Sequence, residues 1–139
     1  MTKFSLDIEY DYSFVLFGIS CHEKDYRISW AINKQLGIGL QKENDLEIKE
    51  KKQKENFLYP VYSFNSEVQY WEYFLIANRN TQGLLIPEQK QSDYFLKISG
   101  NVIHEQKQKI LQDLKGINII LTAYEINPES LKSKQNLLF

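Results

Sequence analysis

The side chains best placed for chemistry fall in one short stretch, Ile86-Pro87-Glu88-Gln89-Lys90-Gln91-Ser92-Asp93-Tyr94. A tight turn there would bring the Glu88 and Asp93 carboxylates together, with the Tyr94 phenol beside them. Paired carboxylates push their pKa values apart, so that one can serve as acid and the other as base. The same residues suit recognition. Pro87 stiffens the start of the loop, Gln89 to Ser92 keep it polar, and Tyr94 can anchor its end, so that Pro87, Glu88, Asp93 and Tyr94 form a rigid binding surface. A third reading is structural: both carboxylates accept loop amide bonds and Tyr94 packs beneath them.

Other candidates are thinner. Asp7, Glu9 and Asp11 would line one strand face, where magnesium or calcium could use their oxygens. A solvent-facing strand surface explains the spacing more simply. His22 and His104 have neither a histidine at i, i+4 nor a neighbouring cysteine ligand. Cys21 is the single cysteine, which excludes an internal disulfide and a multi-cysteine metal cage. A buried, inert thiol is expected there; the alternative is a thiolate favoured by a helix N-terminus. The six glycines form no phosphate-binding pattern, and no serine sits in a nucleophile elbow. These patterns call for no metal, no cofactor and no assigned catalytic residue.

Composition narrows the class. The 139 residues suit a single domain, 1–139, with ordinary globular proportions of 42% hydrophobic and 25% charged residues. Net charge is −1, and only Arg27 and Arg79 among 17 cationic side chains are arginines. Arginine is the planar residue favoured for phosphate recognition, so this balance weighs against nucleic acid. The apolar run Phe14-Val15-Leu16-Phe17-Gly18-Ile19 is too short to span a bilayer and follows acids, where a signal peptide carries positive charge. A cytoplasmic protein is expected. Aromatic residues reach 14%, the one unusual proportion.

These residues need elements to hold them. Phe4 to Tyr12 alternates as a strand, Phe14 to Ile19 reads as a more buried one, and Ser20 to Glu23 has capping-box spacing for a helix bearing Tyr26, Ile28, Trp30, Ile32 and Leu36, stopped at Gly37. Gln41 to Asn56 is densely charged, with Leu46 and Ile48 alternating as an edge strand. Phe57–Phe64 and Val68–Ala77 predict an aromatic hairpin turning at Asn65-Ser66-Glu67. Leu84–Ile86 reads as an element ended by Pro87, and Asp93–Ile98 as another strand. Asn101 can cap a second helix through Leu114. Ile117–Ile126 suggests a buried strand, and Asn127-Pro128 starts a short terminal helix. The expected fold is α+β: a two-layer, mainly antiparallel sheet with two main helices and a short C-terminal one.

The stretch Ile86 to Tyr94 resembles the pattern that names the IPExxxDY family. The opening Leu6-Asp7-Ile8-Glu9-Tyr10-Asp11-Tyr12, the helix around Trp30 and the close from Leu131 to Phe139 look similar to that family too, so the resemblance spans the chain. It implies no activity, substrate or cofactor.

The predicted hairpin is apolar on both faces. Either helices cover its second face or that face is an interface. A free aromatic face would exceed the ~400 Å² of apolar patch a soluble monomer tolerates, and a two-fold homodimer is the commonest way to bury it. The leading expectation is a non-catalytic protein–protein interaction module, self-associating, that uses its sheet and the motif loop. A small enzyme built on Glu88, Asp93 and Tyr94 comes second, and a single-stranded RNA-binding sheet third.

Overall fold

Antiparallel pairing organises the chain. The computed structural model describes residues 12–49, 56–81 and 83–139. Its elements run β1 (Val15–Ser20), α1 (Asp25–Leu36), β2 (Gln41–Lys42), β3 (Leu46–Lys49), β4 (Asn56–Tyr59), β5 (Val61–Ser66), β6 (Trp71–Ala77), β7 (Tyr94–Ser99), α2 (His104–Lys115) and β8 (Thr122–Ile126). Two 3₁₀ turns follow, Pro128–Ser130 and Lys134–Leu137. Six strands form one sheet in the order β2-β5-β6-β7-β1-β8, while β3 and β4 pair in a second, two-stranded sheet. The fold is α+β, as the sequence pattern leads one to expect.

Period-2 alternation divides the central sheet into two apolar faces. Phe17, Ile19, Tyr73, Leu75, Leu96 and Ile98 pack with Ile28 and Ile32 of α1 and Ile110 and Leu114 of α2. On the opposite face, Leu16, Ile76 and Phe95 pack with Tyr59 of β4, Leu85 and Ile86 of the motif stretch, and Leu131 and Leu137 of the C-terminal turns. That second face is therefore covered neither by helices nor left bare. The small sheet, the motif loop and the chain's last turns form a partial third layer over it. The free aromatic face that prompted a homodimer is not there among the described residues.

Lys97 sits in this second layer of contacts. Two residues after Phe95 along β7, it shares that residue's face and is buried. Its ammonium lies 4.5 Å from the Phe139 ring centroid, 4.7 Å from that of Phe14 and 5.3 Å from that of Phe74. It also donates to the Leu137 carbonyl at 2.6 Å. Aromatic faces and a carbonyl dipole replace part of the water a buried cation loses.

Several boundaries differ from the sequence pattern, each for a local reason. Ser20 does not cap α1. Its carbonyl accepts from Leu121 N–H at 2.8 Å, and the Cys21 N–H is held by Asp93, so the chain stays extended and the helix starts after Lys24. Gly37 does stop α1, in the left-handed region at φ 67°. Phe57–Phe64 is split at Pro60, which has no N–H for a ladder; β4 joins the small sheet and β5 the large one. The hairpin turns at Glu67–Tyr70 instead of Asn65–Glu67, because Ser66 takes the Gln69 N–H on its hydroxyl and the Tyr70 N–H on its carbonyl. Asn101 gives its carbonyl to Trp71 Nε1 instead of capping α2, whose start is tied by Ile103 N–H to Gln106 Oε1.

Leu84–Ile86 is no strand: Leu84 makes a single bridge to Arg79 before the chain turns. Only Thr122–Ile126 of the apolar run after α2 is extended. Asn127 caps the first 3₁₀ turn by accepting from Glu129 N–H at 3.1 Å, with Pro128 leading it, so the terminal helix is a pair of 3₁₀ turns. The expected strand from Phe4, the Asp7/Glu9/Asp11 face and the lysine-rich run 50–55 lie outside the described residues.

Candidate functional site

The motif loop is built around a residue the sequence did not single out. Asn78 follows the apolar end of β6 and is fully buried. Its Nδ2 donates to the Gln89 carbonyl at 2.9 Å and to the Ser92 carbonyl at 2.8 Å, and its Oδ1 accepts from Ile86 N–H at 2.8 Å. Its backbone N–H reaches the Asp93 carbonyl and its carbonyl takes the Leu85 N–H. One side chain thus satisfies backbone groups at both ends and in the middle of the loop, which would be costly to leave unpaired inside the protein. Ser92, also fully buried, shares a hydroxyl contact with Tyr124 across the sheet. Gly18 lies beneath them: a Cβ there would stand 2.6 Å from Ser92 Oγ and 2.7 Å from the Tyr124 ring.

The two carboxylates of the motif turn to different neighbours. Glu88 accepts from Ser133 N–H at 2.7 Å and from the Ser133 hydroxyl at 3.0 Å, fastening the loop to the C-terminal turns. Partial burial alone would raise its carboxyl. Bonds from the Ser133 N–H, its own N–H, the Ser133 hydroxyl and the Lys132 N–H outweigh that and hold it below its ordinary value. Asp93 accepts from Cys21 N–H at 2.9 Å through Oδ2 and from Arg79 Nε at 2.7 Å through Oδ1. Arg79 also donates to the Lys90 carbonyl. The motif therefore does not form a carboxylate pair.

Tyr94 is buried, and its hydroxyl donates to the Glu23 carbonyl at 2.6 Å. Burial, reinforced by the Asp25, Cys21 and Asp93 charges, pushes the phenol above its ordinary value, so it stays protonated. Cys21 is buried as well, and burial raises its thiol. A cleft of about 450 Å³ opens here between His22, Glu23, Arg79 and Asp93. Of the four expected binding residues, Pro87 and Glu88 are exposed, Asp93 is partly buried and Tyr94 is buried. No group of three or more His, Cys, Asp or Glu side chains among the described residues is arranged to hold a metal ion.

A second surface has the opposite character. Along α1 the pair Ile28 and Ile32 faces the sheet, and Tyr26 and Trp30 face water with 64% and 62% of their surface exposed. The sequence spacing accommodates both pairs in one apolar stripe, and a 12-residue helix on a single sheet face can bury only one side. Beside Trp30 a cleft of about 340 Å³ runs to the turn after α2, with Ala31, Ile117 and Ile119 as its apolar wall and Arg27 and Lys34 at its rim. Lys34 Nζ stands 5.2 Å over the Trp30 ring. Arg27 Nε pairs with Glu23 at 3.2 Å, both side chains being exposed. No helix among the described residues is long and apolar enough to cross a membrane. No family model, curated protein or solved structure matches this chain.

Proposed function

We propose that this protein is a non-catalytic protein-binding module whose contact surface is the outer side of α1 and the cleft beside it. The observation that carries this reading is the exposure of Tyr26 and Trp30 next to Arg27. Tryptophan, tyrosine and arginine are the side chains that most often dominate protein interfaces, and large aromatic groups left in water on a small domain gain free energy when a partner covers them. The motif residues support the same reading by what they are already doing. Glu88, Asp93 and Tyr94 are engaged in internal hydrogen bonds. A general acid or base needs a proton it can exchange with substrate. Pro87 and Glu88 remain an exposed corner that can extend the contact. Kinship with the IPExxxDY family is part of the proposal and rests on the motif Ile86 to Tyr94.

The enzyme reading keeps the cleft between His22 and Asp93 as its support. The test uses a photo-crosslinking residue in place of Tyr26 in the full chain, exposed to native lysate. A defined set of captured proteins, lost when Trp30→Ala is added, is expected. Capture that is indifferent to Trp30→Ala, or a turnover activity lost with Asp93→Asn, would overturn the reading. Sedimentation of the wild type tests the homodimer separately, and a dimer that Trp30→Ala leaves intact would use some other surface.

A further inference from the structure

The cleft beside α1 has a chemical character more definite than a generic protein contact. We infer that it accepts a short acidic peptide segment carrying one apolar anchor, an inference that rests on the binding role proposed for this same surface.

Charge complementarity carries it. The cleft's nine lining residues include two cations, Arg27 and Lys34, and no carboxylate, although the chain as a whole has a net charge of −1. With the Glu23 carboxylate beside Arg27 counted, this rim still carries one net positive charge. The two arginines of the chain are used differently. Arg79 is clamped by Asp93 and the Lys90 carbonyl. The Arg27 side chain is 60% exposed, and the Glu23 side chain with which it pairs is 43% exposed. Exposed pairs of this kind are worth little, so an incoming carboxylate can replace Glu23 at small cost and gain a bidentate geometry that lysine cannot offer. Lys34 lies over the Trp30 ring, and a carboxylate that approaches it also brings its own neighbouring side chains onto the exposed indole.

The wall of Ala31, Ile117 and Ile119 and the cleft volume of about 340 Å³ suit one aliphatic or aromatic side chain. A second copy of this chain fits less well, because two-fold docking sets Arg27 and Lys34 against a surface of the same sign. A nucleic acid strand would need a longer basic track than two cations interrupted by Glu23.

The probe is a phage-displayed library of random dodecapeptides, selected against the full-length wild type and against two variants, Trp30→Ala and the double reversal Arg27→Glu/Lys34→Glu. Wild-type selection should enrich peptides with several Asp or Glu around one Leu, Ile, Phe or Trp. The double reversal should lose those clones by at least tenfold and enrich basic ones, and Trp30→Ala should lose the acidic clones. Circular dichroism and melting of each variant establish that the fold is intact. Should neutral apolar peptides be enriched equally by the wild type and the double reversal yet vanish with Trp30→Ala, the acidic specificity fails and the binding surface stands. Should no clone depend on Trp30, both fail. Tighter binding of a single-stranded RNA oligomer than of the best peptide, or a dimer that the double reversal strengthens, would also overturn the inference.

Discussion

The motif loop and the outer side of α1 make opposite use of chemically rich residues. In the loop, Asn78, Ser92, Asp93 and Tyr94 direct their polar groups inward. Along α1, Tyr26, Trp30, Arg27 and Lys34 lie at the surface, and their contacts with Glu23 and with one another are weak and exposed. The first region lowers the free energy of the folded chain; the second leaves apolar area in water. A distinctive sequence pattern with a carboxylate toward each end is therefore a clasp, and the plainer helix is the one that leaves large aromatic side chains exposed.

Breaking the clasp at its centre should have the largest effect. Asn78→Ala strands the Ile86 N–H and the Ser92 carbonyl inside the protein, at about 1–3 kcal/mol for each buried group left unpaired, while the Gln89 carbonyl keeps the Ser92 N–H. Urea denaturation should show a loss above about 3 kcal/mol, and a loss under about 1 kcal/mol would mean that the loop does not depend on this amide. Leu137→Ala comes next. The side chain is fully buried in the second-face core, so about 2–3 kcal/mol should be lost from a terminal segment that can partly relax. Unchanged melting would show that the docking of this second 3₁₀ turn is dispensable.

Glu88→Ala should cost about 1 kcal/mol or less, because the bond to Ser133 is at the surface, and its signature is pH dependence. A carboxyl held below its ordinary value stabilises the fold above the usual carboxylate range and loses that effect as pH falls through the depressed value. The stability gap between wild type and Glu88→Ala should therefore be widest near neutrality and close on acidification. A gap that grows in acid would reverse the sign argued here. The smallest effect on folding belongs to the other region. Trp30→Ala should alter stability by no more than about 0.5 kcal/mol, and a larger loss would make the indole part of the core instead of a contact surface.

How far the sequence reached follows from the range of the interactions involved. The apolar and aromatic runs Phe14–Ile19, Val68–Ala77 and Asp93–Ile98 are local signals, so the strands were legible, as was the division of Tyr73 and Leu75 from Phe74 and Ile76. Element boundaries were not, wherever a distant partner decided them. Ser20 has perfect capping-box spacing, yet Asp93 and Leu121 keep it extended. The motif was recognisable as a string, but its roles depend on Ser133 and Cys21, far along the chain. A fully polar side chain at the apolar end of β6 was the available signal for Asn78. For Tyr26 and Trp30 the helical period was right and the facing was not, since aromatic and aliphatic residues along α1 trace two stripes and only packing against Phe17 and Leu75 selects between them.

The box around Lys97 bears on how the protein is made. Two of the groups that close around its ammonium, the Leu137 carbonyl and the Phe139 ring, belong to the last residues described, and Leu137 itself fills the second-face core. Leu137 lies 40 residues along the chain from Lys97, so until it docks the second-face core of Phe14, Ile76 and Phe95 lacks part of its cover. Transiently bare apolar faces of that kind are where nascent chains aggregate. Docking of residues 137–139 therefore closes the box around Lys97 and covers that face of the sheet.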